Sequence, residues 1–199
     1  MKQAKEYMHY IKKDSVVRMG EGPNKSISMS DWIAAEIREK LQQLPFKQFF
    51  NRNVFLVPIP RSSLQVRNAL WVPDRLAQAM ERKGLGRRIQ ILERNSNLRR
   101  SSISSPENRP LPKEHFDSLK VIRRLDDLSE IVLIDDIITR GHTMLGAAWK
   151  ILDVFPNAKV CGFAAMRTIS NSLEFKDFYD PVKGEIEYRT GPGDALRRP

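Results

Sequence analysis

Residues Ile131 to Ile134 are four apolar residues in a row that stop at two adjacent carboxylates, Asp135 and Asp136. A short strand that is apolar on both faces has to be covered on both faces, as at the centre of a parallel sheet. Beyond the following loop, Leu145, Ala148, Trp149 and Leu152 predict an apolar stripe on a helix that ends before Pro156. Lys159 to Met166 then reads as another strand, ending at Arg167-Thr168. Upstream, Val54 to Ile59 reads as a strand closed by Pro60-Arg61-Ser62-Ser63. A helix from about Pro73 to Lys83, stopped by Gly84, and a short strand from Ile89 to Leu92 come next. Strands alternating with helices predict an α/β fold: a mostly parallel twisted sheet flanked by helices.

The flanks read differently. Residues 1–45 are expected to form a helical N-terminal cap. Ser28 and Asp31 suit a helix start, Ile33, Ile37, Leu41 and Leu44 recur at helical spacing, and Pro45 ends the run. Within a domain over residues 46–170, residues 93–114 are Ser/Arg/Pro-rich and without periodicity, which is the composition of a lid loop. Residues 171–199 read as a polar C-terminal tail, and the sequence shows no internal repeat.

Lys and Arg outnumber Asp and Glu by 34 to 24, giving +10. Arg82, Lys83, Arg87, Arg88, Arg94, Arg99, Arg100 and Arg109 fall within one stretch, so the excess predicts an anion-facing region. Nucleic acid and a phosphate-rich small ligand both fit that charge. No apolar run approaches the roughly 20 residues a membrane-spanning helix needs, and the N-terminus lacks the pattern of a secretory signal. One cysteine, Cys161, excludes an internal disulfide and is expected to be a buried thiol, so a reducing, cytoplasmic setting is expected.

Two acids at a strand end suit three sites: the metal strand of a nucleotide hydrolase, a phosphorelay pocket and a sugar-phosphate cradle. The first needs an upstream Gly-Lys phosphate loop, and no Gly-Lys pair precedes Asp135. The second needs its acid pair near the first strand and a lysine after a later one, whereas the acids here come late and the next strand ends in Arg167-Thr168. The cradle fits. Ligands of open α/β sheets sit at carboxyl ends of strands, and Asp135 is expected to be the first residue past one. Residues Ile138 to Thr143 lead into a helix N-terminus, whose free amides and positive dipole end attract phosphate. Gly141 permits a tight turn, and Thr139 and Thr143 can add hydroxyl donors. Carboxylates beside a phosphate would repel it, so Asp135 and Asp136 should hold sugar hydroxyls or a cation.

The segment IVLIDDIITRGHT resembles the phosphoribosyl-pyrophosphate (PRPP) signature of type I phosphoribosyltransferases at Asp135, Asp136, Thr139, Gly141 and Thr143. The order of parts over roughly residues 50–170 resembles the ComF-like branch of that family. The resemblance implies a Mg2+-dependent transfer of a 5-phosphoribosyl group with release of pyrophosphate. Asp135 and Asp136 would hold the ribose hydroxyls directly or through Mg2+, and residues 138–143 would cradle the 5-phosphate. Pro60, Arg61 and Ser62 would form the pyrophosphate loop, with Arg99, Arg100 and Arg109 closing over it. Two positions depart from the pattern: Arg140 stands where a second threonine is usual, and His142 fills the variable place. His115, in His115-Phe116-Asp117-Ser118, resembles a stretch that recurs after the lid in ComF-like sequences. No segment that would recognise an acceptor base can be picked out. The resemblance also implies an alternative: a PRPP-sensing or nucleic-acid-associated module, as in DNA uptake or phage-defence cassettes such as retrons. A homodimer or a partner protein fits either reading.

Overall fold

The computed structural model describes residues 2–18, 26–64, 68–98, 109–122, 128–169 and 180–198. The N-terminal segment is α1 (Lys2–Lys13), an antiparallel hairpin of β1 (Val16–Arg18) and β2 (Ser26–Ser28), and α2 (Met29–Lys40). Ser28 starts α2 as its chemistry predicts. Its hydroxyl accepts from the Asp31 amide at 3.1 Å and donates to the Asp31 carboxylate at 3.0 Å. The helix tightens into a 3-10 turn over Leu41–Gln43, just before Pro45. Buried Asp14 ties this segment to the rest: its carboxylate accepts from Ser30 N at 2.8 Å and Arg75 Nη1 at 3.1 Å.

The chain continues through β3 (Phe55–Pro58), α3 (Val72–Arg82), β4 (Arg87–Arg88), β5 (Leu92–Arg94), α4 (Pro112–Asp117) and β6 (Leu119–Val121). It ends with β7 (Glu130–Ile138), α5 (His142–Leu152), β8 (Lys159–Arg167) and a hairpin of β9 (Glu185–Arg189) and β10 (Asp194–Arg198). The central sheet is parallel, in the order β4-β3-β7-β8, with Phe55 opposite Ile131 and Pro58 opposite Ile134.

Side chains alternate across it with the two-residue period of a strand. Leu56, Val132 and Ile134 enter one core with Ala34 and Ile37 of α2 and Leu76 and Met80 of α3. Phe55, Val57, Ile131 and Leu133 enter the other, with Met144, Ala147 and Ile151 of α5. The continuous apolar run is thus explained by helices on both faces.

The wiring of the sheet positions the candidate site. From β3 the chain passes through α3 on one face to β4; from β7 it passes through α5 on the other face to β8. Strand order therefore reverses between β3 and β7. At such a reversal the connections leave in opposite directions and a crevice opens at the carboxyl ends.

Several expectations are corrected in detail. The strand expected over Ile89–Leu92 is two strands in two sheets. Arg87–Arg88 pairs with β3, while Leu92–Arg94 peels away to pair antiparallel with β6, leaving Ile89 and Ile91 buried between them. Asp135 is not the first residue past its strand: β7 runs on to Ile138 because β8 keeps pairing as far as Ile138↔Arg167, although β3 stops at Ile134. On α5 the buried face is Met144, Ala147 and Ile151, whereas Leu145, Ala148, Trp149 and Leu152 are half-buried. The helix is covered on a second side, where Trp149 meets Tyr188 of β9 edge-on at 4.9 Å. Cys161 is half-buried against the α2/α3 core, and burial, then Glu130, pushes its thiol pKa up to about 11. Of the segment read as a lid, residues 93–94 belong to β5 and 112–114 to α4, and Arg99 and Arg100 lie outside the described residues. Residues 185–198 of the region read as a tail form the β9/β10 hairpin. No helix among the described residues is long and apolar enough to cross a membrane.

Candidate functional site

Asp135 and Asp136 stand where β7 has outlasted β3. With no β3 partner at this point, each carboxylate turns back on its own strand. Asp135 Oδ1 accepts from Asp136 N at 2.9 Å and Asp136 Oδ1 from Ile137 N at 2.8 Å. Burial first, and then the charge of Asp136, push the Asp135 carboxyl well above the usual carboxylate range. Positive charge or hydroxyl donors arriving beside Asp135 would favour its ionised form. Among the described residues no group of three His, Cys, Asp or Glu side chains could hold a metal. A divalent ion here would take these two carboxylates from the protein and its remaining oxygens from ligand and water. Mg2+ accepts that set, so the residues fit it.

The loop behind the acids is shaped by Gly141, at φ +87°. A Cβ there would come within 2.9 Å of two Ile186 side-chain atoms of β9, so glycine serves both the left-handed turn and the close approach. Gly141 O accepts from Leu145 N at 2.9 Å, opening α5, and no side chain caps the helix start. Its first amides are therefore left for a ligand. Thr139 and Thr143 are half-buried and Arg140 is exposed. From β10, Arg197 donates to Thr139 O at 2.8 Å and to Thr168 O, fastening loop and strand ends together.

His142 is buried, with Nδ1 2.9 Å from Pro110 O. A carbonyl only accepts, so Nδ1 carries the proton, and Nε2 is buried without a partner. This contact holds the end of the lid segment against α5. Neighbouring Arg109 is half-buried, its Nε buried and unpartnered.

The second loop, Pro60-Arg61-Ser62, follows β3 on the same sheet edge. Pro60 is buried, and Arg61 and Ser62 are half-buried. It is held from outside. Trp71 Nε1 donates to Ile59 O, Leu98 N to Ser62 O and Leu64 N to Asn97 Oδ1, each at 2.8 Å. Arg94, 6% exposed, donates from Nε to Arg61 O at 3.0 Å, from Nη2 to Pro60 O at 3.4 Å, and from Nη1 to Ser118 Oγ. Burial lowers its pKa to about 10, which leaves it charged at neutral pH. Ser118 Oγ donates to His115 O at 2.9 Å, and His115 Nε2 lies 3.3 Å from Thr143 Oγ1. Burial, then Arg94 and His142, push the His115 pKa down to about 3, so the ring is neutral.

Asp135, Asp136 and residues 138–143 thus lie on or just past β7, and residues 60–62 just past its neighbour β3. Arg94, Ser118 and Arg197 are the residues that sequence reasoning missed. One signal was available for Arg94: in Leu92-Glu93-Arg94 it shares the inward side of a strand with buried Leu92.

No family model matches the sequence, and no curated protein matches it either. Among solved structures, a hypoxanthine phosphoribosyltransferase from Staphylococcus aureus is similar at 10% identity, over 70% of this chain and 63% of that one, with a TM-score of 0.38. The chain thus spans less than two thirds of that protein's length.

Proposed function

We propose that this chain binds PRPP in the crevice between β3 and β7 and transfers its 5-phosphoribosyl group to an acceptor, releasing pyrophosphate. One observation carries the reading. Support for it comes from the acid pair with its raised Asp135 carboxyl and the uncapped helix start after β7, beside the Pro60–Ser62 loop after β3, where strand order reverses.

In this reading Asp135 and Asp136 accept hydrogen bonds from the ribose hydroxyls or share Mg2+ with them. The amides and hydroxyls of residues 138–143 take the 5-phosphate. The Pro60–Ser62 loop, with Arg61 half-exposed, takes the pyrophosphate, joined by Arg100 and Arg109 of the lid. The bond from the anomeric carbon to pyrophosphate breaks, that carbon passes through an oxocarbenium-like state, and the acceptor's nucleophile bonds to it. Mg2+, when bound, supplies positive charge to the leaving group. The chain's own contribution is to fix ribose and both phosphate ends, and to exclude water.

A second reading, PRPP binding without turnover, is favoured by the hairpin. Ile186 covers Gly141 and Arg140 points to solvent, so the cradle is enclosed on one side by apolar chain. Under that reading the bound state acts by engaging a partner, and the +10 charge suits nucleic acid.

Pyrophosphate release, measured with PRPP and Mg2+ over a panel of bases, nucleotides and nucleic acids, tests the first reading. Release with at least one acceptor is expected. PRPP binding with no release from any acceptor would favour the second.

A further inference from the structure

Arg94 and His115 belong to neither anion loop, yet each touches one of them. Arg94 is on β5, and its guanidinium is claimed by two carbonyls of the Pro60–Arg61 loop and by Ser118. His115 is on α4, 2% exposed, and reaches Thr143 in the first turn of α5. Ser118 links them, accepting from Arg94 and donating to the backbone of His115. A continuous buried polar path thus runs from the loop after β3 to the loop after β7.

The chemistry of the path has a direction. His115 Nδ1 is buried without a partner. A buried orphan N–H is rarer and costlier than an unused lone pair, so the neutral ring carries its proton on Nε2. Nε2 then donates to Thr143 Oγ1, which leaves the threonine's own proton free to point at a ligand in the loop. Arg94 does the corresponding work at the other end. It occupies the carbonyl oxygens of Pro60 and Arg61, so the loop's acceptors turn inward, leaving its N–H groups and the Arg61 side chain for an anion. A buried arginine makes sense there because its fork satisfies three acceptors at once.

We propose that Arg94 and His115 are positioning residues, one presenting the Pro60–Ser62 loop to the pyrophosphate end of a ligand and the other aiming the Thr143 hydroxyl at its 5-phosphate. This rests on the PRPP reading. It predicts that the two residues act on separate halves of the ligand, which a general loss of packing would not do.

The test is calorimetry with Mg2+ and three probes, ribose 5-phosphate, pyrophosphate and PRPP, on the full chain. His115→Leu should weaken ribose 5-phosphate about tenfold and leave pyrophosphate unchanged. His115→Gln, which keeps an N–H donor, should recover most of that loss. Arg94→Lys should weaken pyrophosphate about tenfold and spare ribose 5-phosphate. If Arg94→Lys does not fold, as judged by circular dichroism, the His115 pair carries the test, since Leu and Gln differ in the donor. The inference is overturned if the wild type binds PRPP but the variants weaken both half-ligands equally, or neither. Wild-type protein that binds none of the three probes overturns the PRPP reading itself, and this inference with it.

Discussion

Residues 139–143 and residues 60–64 follow neighbouring parallel strands but are built in different ways. The first loop carries most of its own instructions: a glycine at φ +87° turns the chain and a helix start directly behind it supplies the amides, with Arg197 clasping Thr139 O from outside. The second has no such device. Its backbone is pinned by Trp71, Arg94, Asn97 and Leu98, and of these Arg94 and Asn97 lie 33 positions from the residues they hold. A self-built loop is spoiled by changing the loop; a held loop is spoiled by changing residues that never touch ligand.

The largest effect should come from the self-built loop. Gly141→Val forces a branched side chain into the left-handed region, costing about 1–2 kcal/mol, and drives it into Ile186. The melting temperature should fall by at least about 4 °C. PRPP affinity should fall about a hundredfold, by displacement of the loop. A variant that kept wild-type affinity would mean that the 139–143 loop is not where phosphate binds.

The tie between the loops should show itself in acid. His115 stays neutral in the fold down to about pH 3, whereas in the unfolded chain it takes up a proton below its ordinary 6.5. The unfolded state therefore binds more protons in that window, and stability falls as pH drops from 6.5 toward 3. The slope is on the order of 1.4 kcal/mol per pH unit at most. Urea melts of His115→Gln should lose that slope, while melts of a variant of exposed Lys113 should keep it.

These expectations also mark what was legible in the sequence. The central strands, α3 and the acid pair with its loop could be read because their signals are local: apolar runs, a proline or glycine at a boundary, a helix start behind a turn. Even there, the length of β7 was misread, because whether a strand continues past Ile134 depends on β8 rather than on β7's own residues. Strand alternation with Leu92 marks Arg94 as inward-facing, but not what it holds. What makes it different is that Pro60, Arg61 and Ser118 converge on it, and no spacing encodes that. Arg197 and Ile186 were hidden for the same reason: a polar tail and a structural hairpin share a composition.

Smaller effects sharpen the contrast. Asn97→Ala removes the acceptor for Leu64 N, worth about 0.5–1.5 kcal/mol. Pyrophosphate affinity should drop about threefold, with ribose 5-phosphate unchanged and a melting temperature lower by about 1–6 °C. Ser28→Ala removes the start of α2 and should cost about 1 kcal/mol of stability. It should leave both half-ligands untouched, because the bonds of Ser28 and Asp31 run to each other and to Arg82.

In the proposed reading, Asp135 is held out of its ordinary ionisation for the sake of a sugar-phosphate ligand that it shares with Asp136. Asp135's folded pKa is raised above its ordinary 3.8, so the ligand-free protein loses stability as pH rises from there through the raised value. The measurement is PRPP calorimetry with Mg2+ on wild type and an Asp135→Asn/Asp136→Asn double variant, paired with their ligand-free melting temperatures at neutral pH. The double variant should melt higher than wild type yet bind PRPP at least about a hundredfold more weakly. A variant that binds PRPP as tightly as wild type would contradict the reading.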